Sequence, residues 1–215
     1  MACWSPESAT KAYLKAIKME KSAKEPDVSE FISALVAGNN AQLMVIACAG
    51  AADSTTLALV AAAQQTGGRV ICILREFDKL NPSIEFLQHN AMHVEFVIGD
   101  AKTLLVNDYR RADCIVIDCN INNCEGIFKT ARRIGGNNAI VLGYNALRMG
   151  SWKCETFNAH LLPIGEGLLV TRMTRKGSDF SVSEKKSRWI VKVDPRTGEE
   201  HVFRVRSPHG KPLEA

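Results

Sequence analysis

Small and oxygen-bearing residues recur at five points of the chain, each just after a short apolar run: Cys48–Ser54, Leu74–Glu76, Gly99–Asp100, Asp118–Asn120 and Gly143–Asn145. Glu76, Asp100 and Asp118 offer carboxylates, which accept hydrogen bonds from hydroxyls and amines. Gly50 lies inside the first turn, and Cys48 and Ala52 are small there, so the approach of a ligand to its backbone is hindered but not excluded. Ser54 stands where a helix begins, and the free N–H groups of a helix start hold anions. The same Ser reads equally well as an ordinary N-cap. Together these residues suit the binding and positioning of a small molecule. Proton transfer is less well served, because none of His89, His93, His160, His201 and His209 is placed as a general base. Tyr144 or Asp118 could take that role. Zinc is excluded: Cys119 and Cys124 have four residues between them, and no His stands near them to complete a set.

The elements that must position these residues are legible in the apolar pattern. Leu43–Cys48, Val70–Leu74, Val94–Ile98, Cys114–Ile117 with Asp118, and Ala139–Gly143 are apolar runs of strand length, most of them continuous. Strands buried on both faces look like this. Helices are expected between them over Thr55–Gln65, Ser83–Asn90, Ala101–Tyr109 and Glu125–Arg133. Two helices are expected first, one capped by Ser5 with Pro6 in its first turn, with Tyr13, Ala16 and Ile17 on its apolar face. The second opens with Asp27-Val28-Ser29-Glu30, a capping box, presents Phe31, Leu35 and Val36, and stops at Gly38-Asn39-Asn40. Strand–helix alternation predicts a doubly wound, mostly parallel α/β sheet, which binds its ligand beyond the carboxyl ends of the strands. Gly165-Glu166-Gly167, between two apolar runs, turns the chain into an antiparallel hairpin. A second hairpin is expected from Trp189–Val193 and His201–Val205, turning at Asp194-Pro195-Arg196-Thr197-Gly198.

Bulk properties narrow the class. The 215 residues are 46% hydrophobic with a net charge of +4. That suits one domain over residues 1–175 followed by a small extension over 176–215. No apolar run approaches the roughly 18 residues of a membrane helix, and the first residues do not resemble a secretory leader. A cytoplasmic protein away from membranes is expected. The cysteine count of seven is odd and lacks a Cys-x-x-Cys, so buried, reduced thiols are expected. Between Arg172 and Lys192 basic residues outnumber acidic ones, with Arg175, Lys176, Lys185, Lys186 and Arg188 against Asp179 and Glu184. This reads as a solvated linker; contact with nucleic acid is the weaker reading, since no aromatic residues interleave with the charge. No Gly-x-Gly-x-x-Gly follows the first strand, which argues against a dinucleotide oxidoreductase.

A parallel sheet ending in an antiparallel hairpin resembles the class I S-adenosylmethionine methyltransferases, a Rossmann-like fold. From Ser29 to Arg172 the chain is similar to their cation-dependent O-methyltransferases, of the catechol and caffeoyl-CoA type. The opening Met1-Ala2-Cys3-Trp4-Ser5-Pro6 and the tail from Ser187-Arg188-Trp189 resemble a plant-specific family of uncharacterised methyltransferase-like proteins. The resemblance implies S-adenosylmethionine as cofactor, with Cys48, Gly50, Ser54, Glu76, Asp100 and Asp118 as its contacts. It also implies a homodimer. The O-methyltransferases carry an acid, two Gly and a Ser along the first strand and its turn; here those places hold Ile46, Cys48, Ala52 and Ser54. Their second strand ends in an acid that grips the ribose hydroxyls. Leu74 stands there, and Glu76 is the substitute or else a plain loop residue. Asp100 resembles the acceptor for the adenine amine, or caps the helix that follows. Asp118 and Asn145 match two metal ligands, but the Asp beside Asn145 is replaced, so no metal is expected. Two functions follow from this reading: metal-independent methyl transfer to an unknown small molecule, or a catalytically inactive relative that binds or scaffolds.

Overall fold

The computed structural model describes residues 4–19, 27–135, 139–149, 159–172, 187–193 and 200–206. The chain divides into two compact units, residues 1–175 and 176–215. The first is an α/β fold built on one mostly parallel seven-stranded sheet. Its sheet comprises β1 (Leu43–Ala47), β2 (Arg69–Leu74), β3 (Val94–Ile98), β4 (Cys114–Asp118), β5 (Ile140–Tyr144), β6 (His160–Leu162) and β7 (Leu168–Arg172). They lie in the order β3-β2-β1-β4-β5-β7-β6. The first five are parallel, and β7 runs antiparallel to both β5 and β6. Strand order reverses between β1 and β4, which places the crevice above their carboxyl ends. The second unit contains the antiparallel pair β8 (Ser187–Val193) and β9 (Glu200–Arg206). The expected turn at 194–198, and most of the basic stretch that precedes β8, lie outside the described residues.

Alternation along each strand builds two cores. Met44 and Ile46 of β1 join Cys72, Leu74, Val116 and Leu142 under the helices α1 (Pro6–Met19), α2 (Val28–Gly38) and α3 (Ser54–Thr66). Val45 and Ala47 join Ile71, Ile73, Ile115 and Ile117 on the other face. There they meet α5 (Ala101–Asn107) and α6 (Cys124–Ile134) through Leu105 and Phe128. Successive strand residues face opposite ways, so one apolar run supplies both layers.

The expected capping box is present: the Asp27 N–H donates to Glu30 Oε2 at 2.7 Å, and the Asp27 side chain accepts from the N-terminal turn of α2. The buried faces of the first two helices differ from expectation. Helix α1 buries Ala9, Ala12 and Ala16, while Ile17 is 39% exposed. Small residues let α1 approach α2 and α3 closely, which larger side chains would prevent. Helix α2 buries Ile32, Val36 and Ala37, leaving Phe31 exposed and Leu35 half-buried. Helix α4 (Leu80–Leu87) starts before Pro82, not after it. Pro82 sits in the first turn, where its missing N–H has no intrahelical partner to lose. In the first hairpin Gly165 and Gly167 adopt φ of 54° and 87°, the left-handed region that favours glycine. That turn is tied down by the Leu147 N–H, which donates to the Glu166 carbonyl at 2.9 Å.

Candidate functional site

A cleft of about 400 Å³ opens at the carboxyl ends of β1 to β4. Its volume falls within the usual range for small-molecule sites. Cys48 and Ala49, just past β1, border its centre, with Ile73 of β2 beneath. Arg75 and Glu76 follow β2, and Gly99, Asp100 and Lys102 follow β3. Asn120, Asn122 and Asn123 follow β4. Leu74 pairs with Ile98 in register, and the Gly99 N–H donates to the Leu74 carbonyl at 2.9 Å. The sheet itself therefore sets Arg75 beside Gly99 and Asp100.

Three of the six candidate contacts line this cleft: Cys48, Glu76 and Asp100. Cys48 does so with its thiol turned away, its Sγ 3.7 Å from Cys72 Sγ and 4.0 Å from Thr56 Oγ1. Contact with Cys72 and burial push that thiol well above its ordinary pKa, so it is an inert packing group. Asp100 Oδ2 accepts from the Thr103 N–H at 2.9 Å and from Thr103 Oγ1 at 2.8 Å, capping α5. Those hydrogen bonds, aided by Lys102 and Arg75, hold its carboxyl below the ordinary range. Glu76 is exposed at the rim.

The other three, Gly50, Ser54 and Asp118, are not among the lining residues. A Cβ built on Gly50 would meet open space, so neither crowding nor positive φ demands a glycine there. Ser54 is the first residue of α3, one place inside the N-cap it was expected to be. Asp53 holds the cap: its Oδ1 accepts from the Thr55 N–H at 3.0 Å and the Thr56 N–H at 3.3 Å. Tyr144 Oη donates to Asp53 Oδ2 at 2.9 Å. Burial raises the Asp53 carboxyl pKa, with the Tyr144 and backbone hydrogen bonds opposing. Tyr144 is itself pushed up, by burial first and by the Asp53 charge second, and stays a neutral donor.

Asp118 is satisfied from three directions. Its Oδ2 accepts from the Ala49 N–H at 3.3 Å; its Oδ1 accepts from the Asn120 N–H at 3.0 Å and Asn145 Nδ2 at 2.9 Å. Asp118 and Asn145 offer one formal charge between them, and among the described residues no three His, Cys, Asp or Glu side chains gather into a set that could hold a metal ion. The donor set does not fit a divalent metal. The β1–α3 turn is pinned once more, where the Ala52 N–H donates to Ser83 Oγ at 2.9 Å.

Sequence reading passed over Asp53, Arg75 and Lys102. An Asp directly before Ser-Thr-Thr at a helix start is itself a cap signal. Arg75 and Lys102 carry no local signal beyond their places after β2 and β3.

This architecture has known counterparts. The family described as "Protein of unknown function (DUF1442)" matches residues 1–205. The chain belongs to the DUF1442 family. The DUF1442 chain is similar in structure to a methyltransferase from Geobacter sulfurreducens, at 17% identity and a TM-score of 0.53, covering 79% of this chain and 90% of that one. It is similar to a putative caffeoyl-CoA O-methyltransferase from Staphylococcus aureus at 14% identity and a TM-score of 0.56, covering 79% and 93%. An O-methyltransferase from Bacillus cereus in complex with SAH gives 14% and 0.53, covering 79% and 92%. Identities this low establish the shared fold. No curated protein matches the chain. No helix among the described residues is long and apolar enough to cross a membrane.

The S-adenosylmethionine implied by this fold fits the cleft in part. Glu76 and Asp100 line the cleft, carboxylates that would serve the hydroxyls and amine of the cofactor's adenosine portion. By the resemblance set out above, its amino-acid portion would use the α3 amides and an acid on β1; here Asp53 takes the Thr55 and Thr56 amides, and Ile46, fully buried, stands in the place of the acid. Losing a charge-assisted hydrogen bond of that kind costs about 1.5–3 kcal/mol, or one to two orders of magnitude in affinity.

Proposed function

We propose that this chain is a nucleoside-binding member of the methyltransferase fold, catalytically inactive and without a metal. One observation carries this reading: the carboxylate of Asp53 sits on the α3 amides that would otherwise receive the carboxylate of a methyl donor. A second carboxylate brought there would meet the Asp53 charge across a short distance, and like charges at such range repel strongly. The cleft at the strand-order reversal, with Glu76 and Asp100 at its rim, supports binding of the ribose and base. Free, buried cysteines at 48, 72, 114, 119 and 124 support a reducing, cytoplasmic setting.

Metal-independent methyl transfer to a small acceptor is the second reading. It is favoured by Asn120, Asn122 and Asn123, polar side chains that line the β4 end of the cleft. Calorimetric titration with S-adenosylmethionine, S-adenosylhomocysteine and 5′-methylthioadenosine separates the two. The last lacks the amino-acid portion. Similar affinities for all three, within about threefold, are expected. Tighter binding of the two amino-acid-bearing ligands by a hundredfold would restore the methyl-transfer reading.

A further inference from the structure

One side chain on the β4 side of the cleft is held in place without a hydrogen-bond partner. Asn123 occupies the N-cap position of α6, as Asp100 does that of α5. The two helices pack on each other, and both residues line the cleft. There the likeness ends. Asp100 spends Oδ2 on the N–H and hydroxyl of Thr103. The Asn123 side chain caps nothing: its backbone stands at φ 61°, in the left-handed region, and its amide makes no hydrogen bond to the first turn of α6. Among the described residues no other group engages that amide either. It is nonetheless placed. A Cβ on Gly126 would lie 2.5 Å from Asn123 Oδ1 and 2.7 Å from Asn123 Nδ2, so the glycine makes room for the side chain beside the helix.

Glycine would hold that backbone without strain, and the usual gain from Asn at an N-cap, a hydrogen bond to the helix, is forgone. What Asn123 adds is an amide at the cleft wall, with both donor and acceptor unused. Residues in such conformations gather where a particular side chain is needed. Ile73, Ile121 and Ile127 line the same cleft and suit the faces of a planar ring. Arg75 and Lys102 both act on the Asp100 charge, and with Glu76 the cleft carries as many carboxylates as cations, which suits an uncharged ligand. A carboxamide matches adenine at two points: the exocyclic amine donates to the amide oxygen, and the ring nitrogen beside it accepts from the amide nitrogen. The amine has a second hydrogen, and Asp100 Oδ1 is an acceptor left for it by the Thr103 contacts.

We propose that Asn123 reads the base of the bound nucleoside, and that this base is a 6-aminopurine whose amine and neighbouring ring nitrogen pair with the Asn123 amide. Gly126 is a positioning residue that acts through Asn123. The proposal rests on the nucleoside reading of the same cleft and names the base within it.

The test is titration of the full chain with adenosine, 1-deazaadenosine, 7-deazaadenosine, guanosine and cytidine. Adenosine is expected to bind most tightly. Each deaza analogue lacks one of the two ring nitrogens that flank the amine, and one of them is expected to bind about fivefold more weakly. Which one loses identifies the edge that Asn123 meets. In Asn123→Gly the adenosine affinity is expected to fall about tenfold and the deaza ratio to approach one. Its melting temperature is expected to be unchanged or higher, because glycine adopts this backbone without strain. Gly126→Ala displaces the amide and is expected to weaken adenosine similarly, with no further effect in the Asn123→Gly background. Adenosine bound with neither deaza analogue weakened, or with its affinity unchanged in Asn123→Gly, would overturn this proposal and leave the nucleoside reading standing. Tighter binding of guanosine or cytidine overturns it as well. So does a loss of affinity in Asn123→Gly that comes with a lowered melting temperature, which would make the role of Asn123 structural. Binding of none of the ligands up to millimolar concentration overturns both.

Discussion

The open rim of the cleft and the β1–α3 turn beside it are built on opposite terms. Around the β1–α3 turn and the tips of β4 and β5, every carboxylate is spent on the protein itself. Asp53 caps α3 and receives Tyr144; Asp118 receives Ala49, Asn120 and Asn145. At the tips of β2 and β3 the charges are exposed, and Arg75, Glu76 and Lys102 make no ion pair among the described residues. Satisfied buried groups hold a structure together, while exposed unpaired ones contribute little to it. The satisfied carboxylates therefore maintain the turn, and the open rim is available for a ligand. Under the proposed reading the contrast bears directly on which part of a ligand is retained.

Substitutions at matched carboxylates break the comparison most sharply. Asp118→Ala strips the acceptor from three N–H donors at once and is expected to cost about 3 kcal/mol in urea denaturation. Glu76→Ala is expected to stay within about 0.5 kcal/mol while weakening nucleoside binding. Similar costs at the two sites would erase the distinction. A smaller effect, about 2 kcal/mol, is expected for Asp53→Ala, which removes a helix cap and leaves Tyr144 Oη without its acceptor. Tyr144→Phe is expected to cost about 1 kcal/mol alone and close to nothing in the Asp53→Ala background, as a double-mutant cycle would read.

The smallest effect lies in the pH dependence, where the two regions have opposite signs. Asp53 has a raised carboxyl pKa, so its contribution is fully present below the unfolded value of 3.8 and is lost as pH rises through the folded value. Asp100 has a lowered one, so its contribution is present above 3.8 and is lost as pH falls through the folded value. Relative to Asp53→Asn, the wild-type chain should gain stability as pH falls toward 3.8. Relative to Asp100→Asn it should lose stability only below 3.8, and by less, because Asp100 is exposed. Denaturation series from pH 3 to 7 (roughly the range over which carboxyls titrate) read both signs.

Much of this architecture is legible in the sequence because strand and helix have different apolar periods. The runs at Val94–Ile98 and Cys114–Asp118 coincide with β3 and β4, and the glycine-framed turn at 165–167 lies where the hairpin turns. Helix faces were less legible: α1 packs through alanines, whose weak hydrophobic signal is outweighed on paper by Tyr13 and Ile17. The site divides the same way. Glu76 and Asp100 are legible because a residue just past a strand end must face the crevice. The role of Asp118 depends on partners from two other strand ends, Ala49 and Asn145, which only the assembled sheet brings within reach. Ser54 drew attention as the residue retained from the resembling family, while Asp53, one place earlier, makes the contacts. Arg75 is indistinguishable in sequence from an ordinary solvated base until the cleft is seen.

The central claim is that Asp53 occupies the α3 amides that the carboxylate of a methyl donor would need. The most direct test is the affinity for S-adenosylhomocysteine divided by that for 5′-methylthioadenosine, in the wild-type chain and in Asp53→Ala. A ratio near one in the wild type, rising by about tenfold when the α3 amides are vacated, is predicted. A wild-type ratio of a hundred or more that the substitution leaves unchanged would contradict it, and the α3 amides would then belong to an active methyl-donor site.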